Sequence, residues 1–369
     1  MEIKITAWRK SKRILFLLIT ASAFFSGDAS AQEKHFLQEG ISLFERREFH
    51  QAKAIFLAAL DQKVEKAAQI YFYLGRIFFE NKRYSESAEW FEKAVQSAPK
   101  TSEYHLWLGR IYGQLSSQSS ILKKPLLAFK IKRSFETAVA LDPENIEARL
   151  AILYFYLKAP ALLGGGVSKA RAQAGKIEQL APRFSALANG LIAADGKNFQ
   201  AAERLLLQAI DVKETASFAY QRLEKIYREK EDLRSAVLMY QGVLERYPED
   251  ILALTKLGYL CQETQRYYEA FAAWERIIQL SPNEVNAYLQ VGRTSVYSGA
   301  RLKSGESRIL LYLEKTAGDA PNKMAEAHNV LAEIYRLKGE SELARRSYLT
   351  ALEFDPSSKV AKRAIKRLK

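Results

Sequence analysis

Residues 68–101 read AQIYFYLGRIFFENKRYSESAEWFEKAVQSAPKT, and this stretch decides the fold. Its first half sets Tyr71, Leu74, Gly75 and Phe78 three, one and three residues apart, and its second sets Ser87, Phe91, Ala94 and Pro99 four, three and five apart. Steps of three and four put the large side chains on one face of a helix. The small residues let two helices approach closely, and the proline ends the second helix and turns the chain. A helix, a turn and a second helix are therefore expected within 34 residues. One such hairpin cannot bury its apolar stripe alone, so neighbours have to stack on it.

The spacing returns three times. Residues 217–250 carry Tyr220, Leu223, Tyr227, Ala236, Tyr240 and Pro248, with Glu224 and Val243 where small residues are expected. Residues 251–284 carry Leu254, Leu257, Gly258, Ala270, Trp274 and Pro282, with Cys261 in an aromatic slot. Residues 325–358 carry Leu331, Ala332, Tyr335, Ala344, Tyr348, Ala351 and Pro356. Pattern and period together resemble the tetratricopeptide repeat family, in its exported bacterial type. The resemblance implies an all-α, right-handed superhelical solenoid of about nine helix-turn-helix units with a carboxy-terminal capping helix. It also implies a concave groove lined by the first helices, which the family uses to bind extended peptides, helices or partner domains.

Counting outward in steps of 34 places weaker units at 33–66, through Gly40, Ala52, Phe56 and Ala59, and at 183–216, through Gly190, Ala202, Leu206 and Ala209. Three more are irregular. Unit 102–145 opens with Leu108, Gly109 and Tyr112, closes with Phe135, Ala138 and Pro143, and is about ten residues too long. Within it, residues 116–120 read as a loop, and residues 121–129 alternate basic with apolar around Pro125. Unit 146–182 carries Ala-Pro and triple-glycine tracts, and unit 285–324 opens with Tyr288 and Gly292 but loses register after Ser298. The run Gly164-Gly165-Gly166-Val167-Ser168-Lys169 lacks the spacing and preceding strand of a phosphate-binding loop and reads as a flexible connector. The solenoid thus occupies 32–358, followed by a basic capping helix over 359–369.

The chain has 369 residues, 48% hydrophobic and 27% charged, the balance of a folded water-soluble protein. Residues 1–31 have the grammar of a secretory signal peptide: Arg9, Lys10, Lys12 and Arg13, then an apolar run over 14–25, then Ala29-Ser30-Ala31. Cleavage between Ala31 and Gln32 is expected, because an apolar run of 12 residues falls short of the roughly 20 needed to span a bilayer. The processed chain is expected to be periplasmic and not transmembrane, with no cysteine near the cleavage site to take a lipid. The single cysteine, Cys261, excludes an intrachain disulfide.

No catalytic signature is present. His35, His50, His105 and His328 stand in different units without partners at metal-ligand spacing, and no nucleophile elbow occurs, so no enzyme activity, metal or cofactor is expected. Charge is more informative. Loss of 1–31 removes five basic and two acidic residues and lowers the formal charge from +14 to +11. Two segments carry that excess: Lys123, Lys124, Lys130, Lys132 and Arg133 in the long unit, and six basic residues from Lys359 to Lys369 in the tail. The tail cations suit the end of a capping helix. The first group has no such structural need and is a candidate site for an anionic partner such as an acidic glycan or an envelope surface. In four units a cation follows the Leu-Gly position, Arg76, Arg110, Lys225 and Arg293, a slot that in the family's geometry faces the groove and marks these as candidate ligand-binding residues. The family's carboxylate clamp, a lysine and an asparagine one turn apart, is missing, since Phe72 precedes Arg76 and Leu106 precedes Arg110. The expected function is a non-catalytic scaffold for partner proteins, with polysaccharide export or assembly as the alternative; export disfavours nucleic acid.

Overall fold

The structure is a computed structural model in which residues 29–61, 66–317 and 321–368 are described, with side chains described from residue 35 onward. Residues 1–28, most of the expected signal segment, lie outside the described residues. Among the described residues every regular element is a helix. In the first half α1 (Ala29–Glu45) pairs with α2 (Phe49–Asp61), α3 (Ala67–Glu80) with α4 (Tyr84–Ser97), and α5 (Ser102–Gln118) with α6 (Lys124–Leu141). Next come α7 (Ile146–Lys158) and α8 (Val167–Leu180). In the second half α9 (Ser185–Asp195) pairs with α10 (Phe199–Ile210), α11 (Lys213–Glu229) with α12 (Leu233–Arg246), and α13 (Ile251–Glu263) with α14 (Tyr267–Leu280). There follow α15 (Val285–Ser298) with α16 (Leu302–Lys315), α17 (Pro321–Leu337) with α18 (Ser341–Phe354), and finally α19 (Lys359–Arg367).

The chain divides into two compact parts, Met1–Ala174 and Gly175–Lys369, the division falling inside α8. Consecutive helices pack on one another from α1 to α7 in the first part and from α9 to α19 in the second. First helices of successive pairs also touch, α1 on α3 and α5 on α7 in the first part, α9 on α11 and α15 on α17 in the second. The fold is therefore an all-α solenoid of helix pairs.

Each pair is locked where the pattern places its large and small residues. Leu74, Phe91 and Ala94 are fully buried, and a Cβ on Gly75 would stand 2.9 Å from the Phe91 ring. Ser87, in a slot that usually holds alanine, is buried too, and its hydroxyl donates to the Gly75 carbonyl at 2.7 Å. A polar atom is tolerated there because it is satisfied. At the corresponding place in the second part, a Cβ on Gly258 would lie 2.5 Å from the Trp274 indole. Cys261 is buried beside this contact, its thiol pushed up to about 11 by desolvation, and acts as a small hydrophobe. In six of the pairs the turn passes through one left-handed residue, Arg47, Lys82, Lys197, Glu231, Gln265 or Gly339, and the α15–α16 turn has two, Gly299 and Arg301. Such a conformation costs a non-glycine residue roughly 1–2 kcal/mol, offset by closing hydrogen bonds such as Arg83 N–H to the Phe78 carbonyl and Arg266 N–H to that of Cys261.

Among the described residues, the departures of the irregular units have local causes. In 102–145 the extra residues lengthen both helices, so Ser116, Ser117 and Gln118 are helical rather than loop, and only residues 119–123 connect α5 to α6. Pro125 sits in the first turn of α6, where its missing N–H has no intrahelical acceptor to lose. The triple-glycine tract is a closed turn, not a flexible connector. Leu163 and Gly165 donate to the Pro160 carbonyl, and Gly166 donates to that of Tyr156 at 2.8 Å. A Cβ on Gly165 would lie 1.8 Å from the Ala159 oxygen, and Gly164 has φ +90°, so the tight geometry explains the glycines. In 285–324 the pairing resumes after Gly299, with Ile309 packed on Gly292 in the place of an aromatic ring. At the carboxy terminus α19 packs on α18 and buries Ala361. No helix among the described residues is long and apolar enough to cross a membrane.

Candidate functional site

In the first part the row of first helices carries a continuous aromatic cluster, with Phe44, Phe72 and Tyr104 buried and Tyr73 and Trp107 partly exposed, and Arg76 is set into it. Phe44 of α1 meets Tyr73 of α3 edge-on at 5.4 Å. Phe72 of α3 stacks on Tyr104 of α5 at 5.0 Å and meets Trp107 of α5 edge-on at 6.2 Å. The Arg76 guanidinium lies 4.7 Å from the Phe44 ring and 4.8 Å from that of Trp107, bridging three successive first helices. Rings favour a cation over their faces, and here two of them hold it half-buried. Arg76 has no carboxylate partner, and its Nε is buried without a hydrogen bond, among the described residues. Burial raises the neighbouring Tyr73 hydroxyl, with the Arg76 charge opposing.

The other three cations singled out by their slot are already engaged. Arg110 also lies over the Trp107 ring, at 5.0 Å, but donates to Glu147 of α7 at 2.8 Å. Lys225 is exposed and sits 3.9 Å from Glu229, and Arg293 is paired with Glu326 of α17. The structure brings Arg76 and Arg110 together on one indole, while Lys225 and Arg293 belong to the second part. Of these four candidates, Arg76 is the one without a carboxylate partner among the described residues.

The first helices of the second part carry a polar ladder instead. Glu224, standing in α11 where the pattern asks for glycine, is buried and accepts from Tyr240 at 2.7 Å and Arg228 at 2.9 Å, with Lys256 at 3.3 Å. Arg228 also grips Glu263 of α13 through two bonds of 2.9 and 3.0 Å. Further along, Gln262 donates to Thr294 of α15 at 2.8 Å. These contacts satisfy one another, so the polar groups of this surface are largely committed to the fold.

In the long unit, Lys130 and Lys132 lie 3.7 Å from Glu92 and Glu136. Lys123, Lys124 and Arg133 are exposed and make no ion pair among the described residues. Ala31 and Gln32 fall in the first turn of α1, with side chains outside the description. Of the histidines, His105 hydrogen-bonds the Pro99 carbonyl at 2.8 Å and His328 stacks on Phe354 at 5.8 Å. Sequence pattern did not find Phe44 and Trp107 as the walls around Arg76; the available signal was an aromatic residue directly before Leu108-Gly109.

Tetratricopeptide repeat models match residues 37–102 and 325–358. No curated protein is matched by the chain. Among solved structures, YrrB, described as a tetratricopeptide protein with an unusual peptide-binding site, is 20% identical at TM-score 0.37, over 51% of this chain and 90% of that one. The C-terminal part of a tetratricopeptide protein from Cytophaga hutchinsonii is 17% identical at TM-score 0.41, over 80% and 99%. A tetratricopeptide protein from Parabacteroides merdae is 12% identical at TM-score 0.38, over 91% and 98%.

Proposed function

We propose that this chain, which carries tetratricopeptide repeats at 37–102 and 325–358, is an exported, non-catalytic scaffold that binds an extended acidic segment of a partner protein along the first helices of its amino-terminal part. The observation that carries the reading is Arg76, a half-buried guanidinium held between the rings of Phe44 and Trp107 with no carboxylate partner among the described residues. A cation fixed in place by aromatic walls is already desolvated and oriented, so a carboxylate meeting it gains a charge-assisted bond without ordering a long side chain. The partly exposed rings of Tyr73 and Trp107 supply apolar area for the residues on either side of that carboxylate. Export is supported by the basic residues, apolar run and Ala29-Ser30-Ala31 of the amino terminus.

The test is binding of fluorescent extended peptides that differ only in carrying Glu or Gln at their centre, measured by anisotropy on the wild type and on Arg76→Gln. The wild type should prefer the acidic series, and Arg76→Gln should lose roughly tenfold or more of that affinity, the loss of a charge-assisted bond of about 1.5–3 kcal/mol. Equal affinity of both proteins for both series would refute the assignment.

A further inference from the structure

A second surface has chemistry that neither the fold nor the first-helix row uses. In the connection before α6 and its first turns, Leu122, Leu126 and Phe129 follow one another at spacings of four and three and are 88%, 64% and 62% exposed. Ile121 beside them is 79% exposed. Leu162 is 96% exposed, in a 3-10 turn that touches α6 and sets Gly164 against the Lys132 side chain. The buried side of α6 is complete without these residues, being made of Ala128, Ile131, Ser134, Phe135 and Ala138. Single exposed apolar residues are ordinary, but Ile121, Leu122, Leu126 and Phe129, four within nine residues of chain, mark an interaction surface.

Along the chain the charge of this segment has one sign, although Glu92 of α4 lies 3.7 Å from Lys130. No Asp or Glu occurs between Glu103 and Glu136, while Lys123, Lys124 and Arg133 are exposed and without an ion pair among the described residues. Lysines interleaved with leucine, isoleucine and phenylalanine on the flank of a helix are what the boundary between lipid headgroups and acyl chains accepts. A soluble polyanion would meet the cations and leave Ile121, Leu122, Leu126 and Phe129 in water. A protein partner is disfavoured by the lysines, which are depleted at the centres of protein interfaces. The tail offers a contrast: α19 is as basic, but turns Ala361, Ala364 and Ile365 towards the protein and exposes only Val360 among its large apolar residues.

We propose that the α5–α6 connection and the first turns of α6 dock on the surface of an anionic lipid bilayer, inserting Ile121, Leu122, Leu126 and Phe129 below headgroups held by Lys123, Lys124 and Arg133. The site is independent of the Arg76 row and stands whether or not that row binds peptide.

The experiment is flotation of the full chain with phosphatidylglycerol-containing vesicles, with pure phosphatidylcholine vesicles, and with the former in the presence of dextran sulfate. Three variants are compared with the wild type: Lys123→Gln with Lys124→Gln and Arg133→Gln; Leu122→Ser with Leu126→Ser and Phe129→Ser; and Lys362→Gln with Arg363→Gln, Lys366→Gln and Arg367→Gln. All carry the same amino terminus, so differences among them report on the altered segments. Thermal melts matching the wild type are expected throughout, because every altered side chain is exposed or half-buried at the surface.

The wild type should float with anionic vesicles and keep part of its binding as salt is raised. The first variant should bind anionic vesicles on the order of 100-fold more weakly, from about 1 kcal/mol per cation. The second should lose the salt-resistant fraction, and the tail variant should behave like the wild type. A wild type that does not float with anionic vesicles overturns the proposal. So does a leucine and phenylalanine variant that binds as the wild type does, with dextran sulfate competing fully, which would make the surface an ionic glycan site.

Discussion

Trp274 shows how one side chain organises a helix pair. It is 1% exposed, lies over Gly258 of the partner helix and meets Tyr259 edge-on at 5.0 Å. Its Nε1 has no hydrogen-bond partner among the described residues, so its contribution is packing. Trp274→Ala should cost about 3–5 kcal/mol in urea denaturation; a loss within the ~0.5 kcal/mol typical of surface positions would mean that the indole does not hold the pair together. The same slot accepts other residues when the facing position changes with it. Tyr240 takes the place of the indole in the preceding pair, and there Glu224 replaces the glycine, its carboxylate receiving the phenol's hydrogen bond at 2.7 Å. A residue that breaks the pattern is thus explained by its partner.

At the level of elements, that carboxylate fastens α11 to α12 through Tyr240 and to α13 through Lys256. Burial works against its charge, but the bonds from Tyr240, Arg228 and Lys256 prevail and hold the carboxyl below its usual range. A group whose folded pKa is depressed contributes stability that is present above its unfolded pKa and disappears as pH falls through the folded one. Glu224→Gln should therefore lose about 1–3 kcal/mol at neutral pH, and its deficit against the wild type should shrink on acidification below the ordinary glutamate value of 4.5. Denaturation midpoints of both proteins across an acid series check this; a deficit that stays constant would assign the effect to lost shape rather than lost charge. The two basic elements differ in the same physical terms, since α19 turns its apolar residues inward and the start of α6 turns them out.

For the whole molecule, charge and processing are linked. Removal of 1–31 takes away a net three positive charges and the longest apolar run ahead of the repeats, leaving the cations of α6 and of the tail as the basic features of what remains. Amino-terminal sequencing of the protein extracted from the cell envelope should begin at Gln32. An intact Met1 would show that the segment is kept as an anchor.

What the sequence alone determined is the repeating core: Leu74, Gly75 and Phe91, or Leu257, Gly258 and Trp274, meet within one hairpin, and contacts that close in the chain leave a period in the residues that make them. The helix pairs were legible for that reason even in the irregular units 102–145 and 285–324, although the lengthening of α5 and α6 was not, because a serine run and a proline are compatible with a helix as well as with a loop. Tertiary structure decided which charges are free. Arg110 finds Glu147 and Arg293 finds Glu326, partners 37 and 33 residues away on the next first helix, and no local spacing distinguishes them from Arg76, whose neighbours across the stack are rings. It also decided that Leu122, Leu126 and Phe129 stay in solvent, because periodicity names the apolar positions of a helix and only the packed neighbours determine which of them are covered.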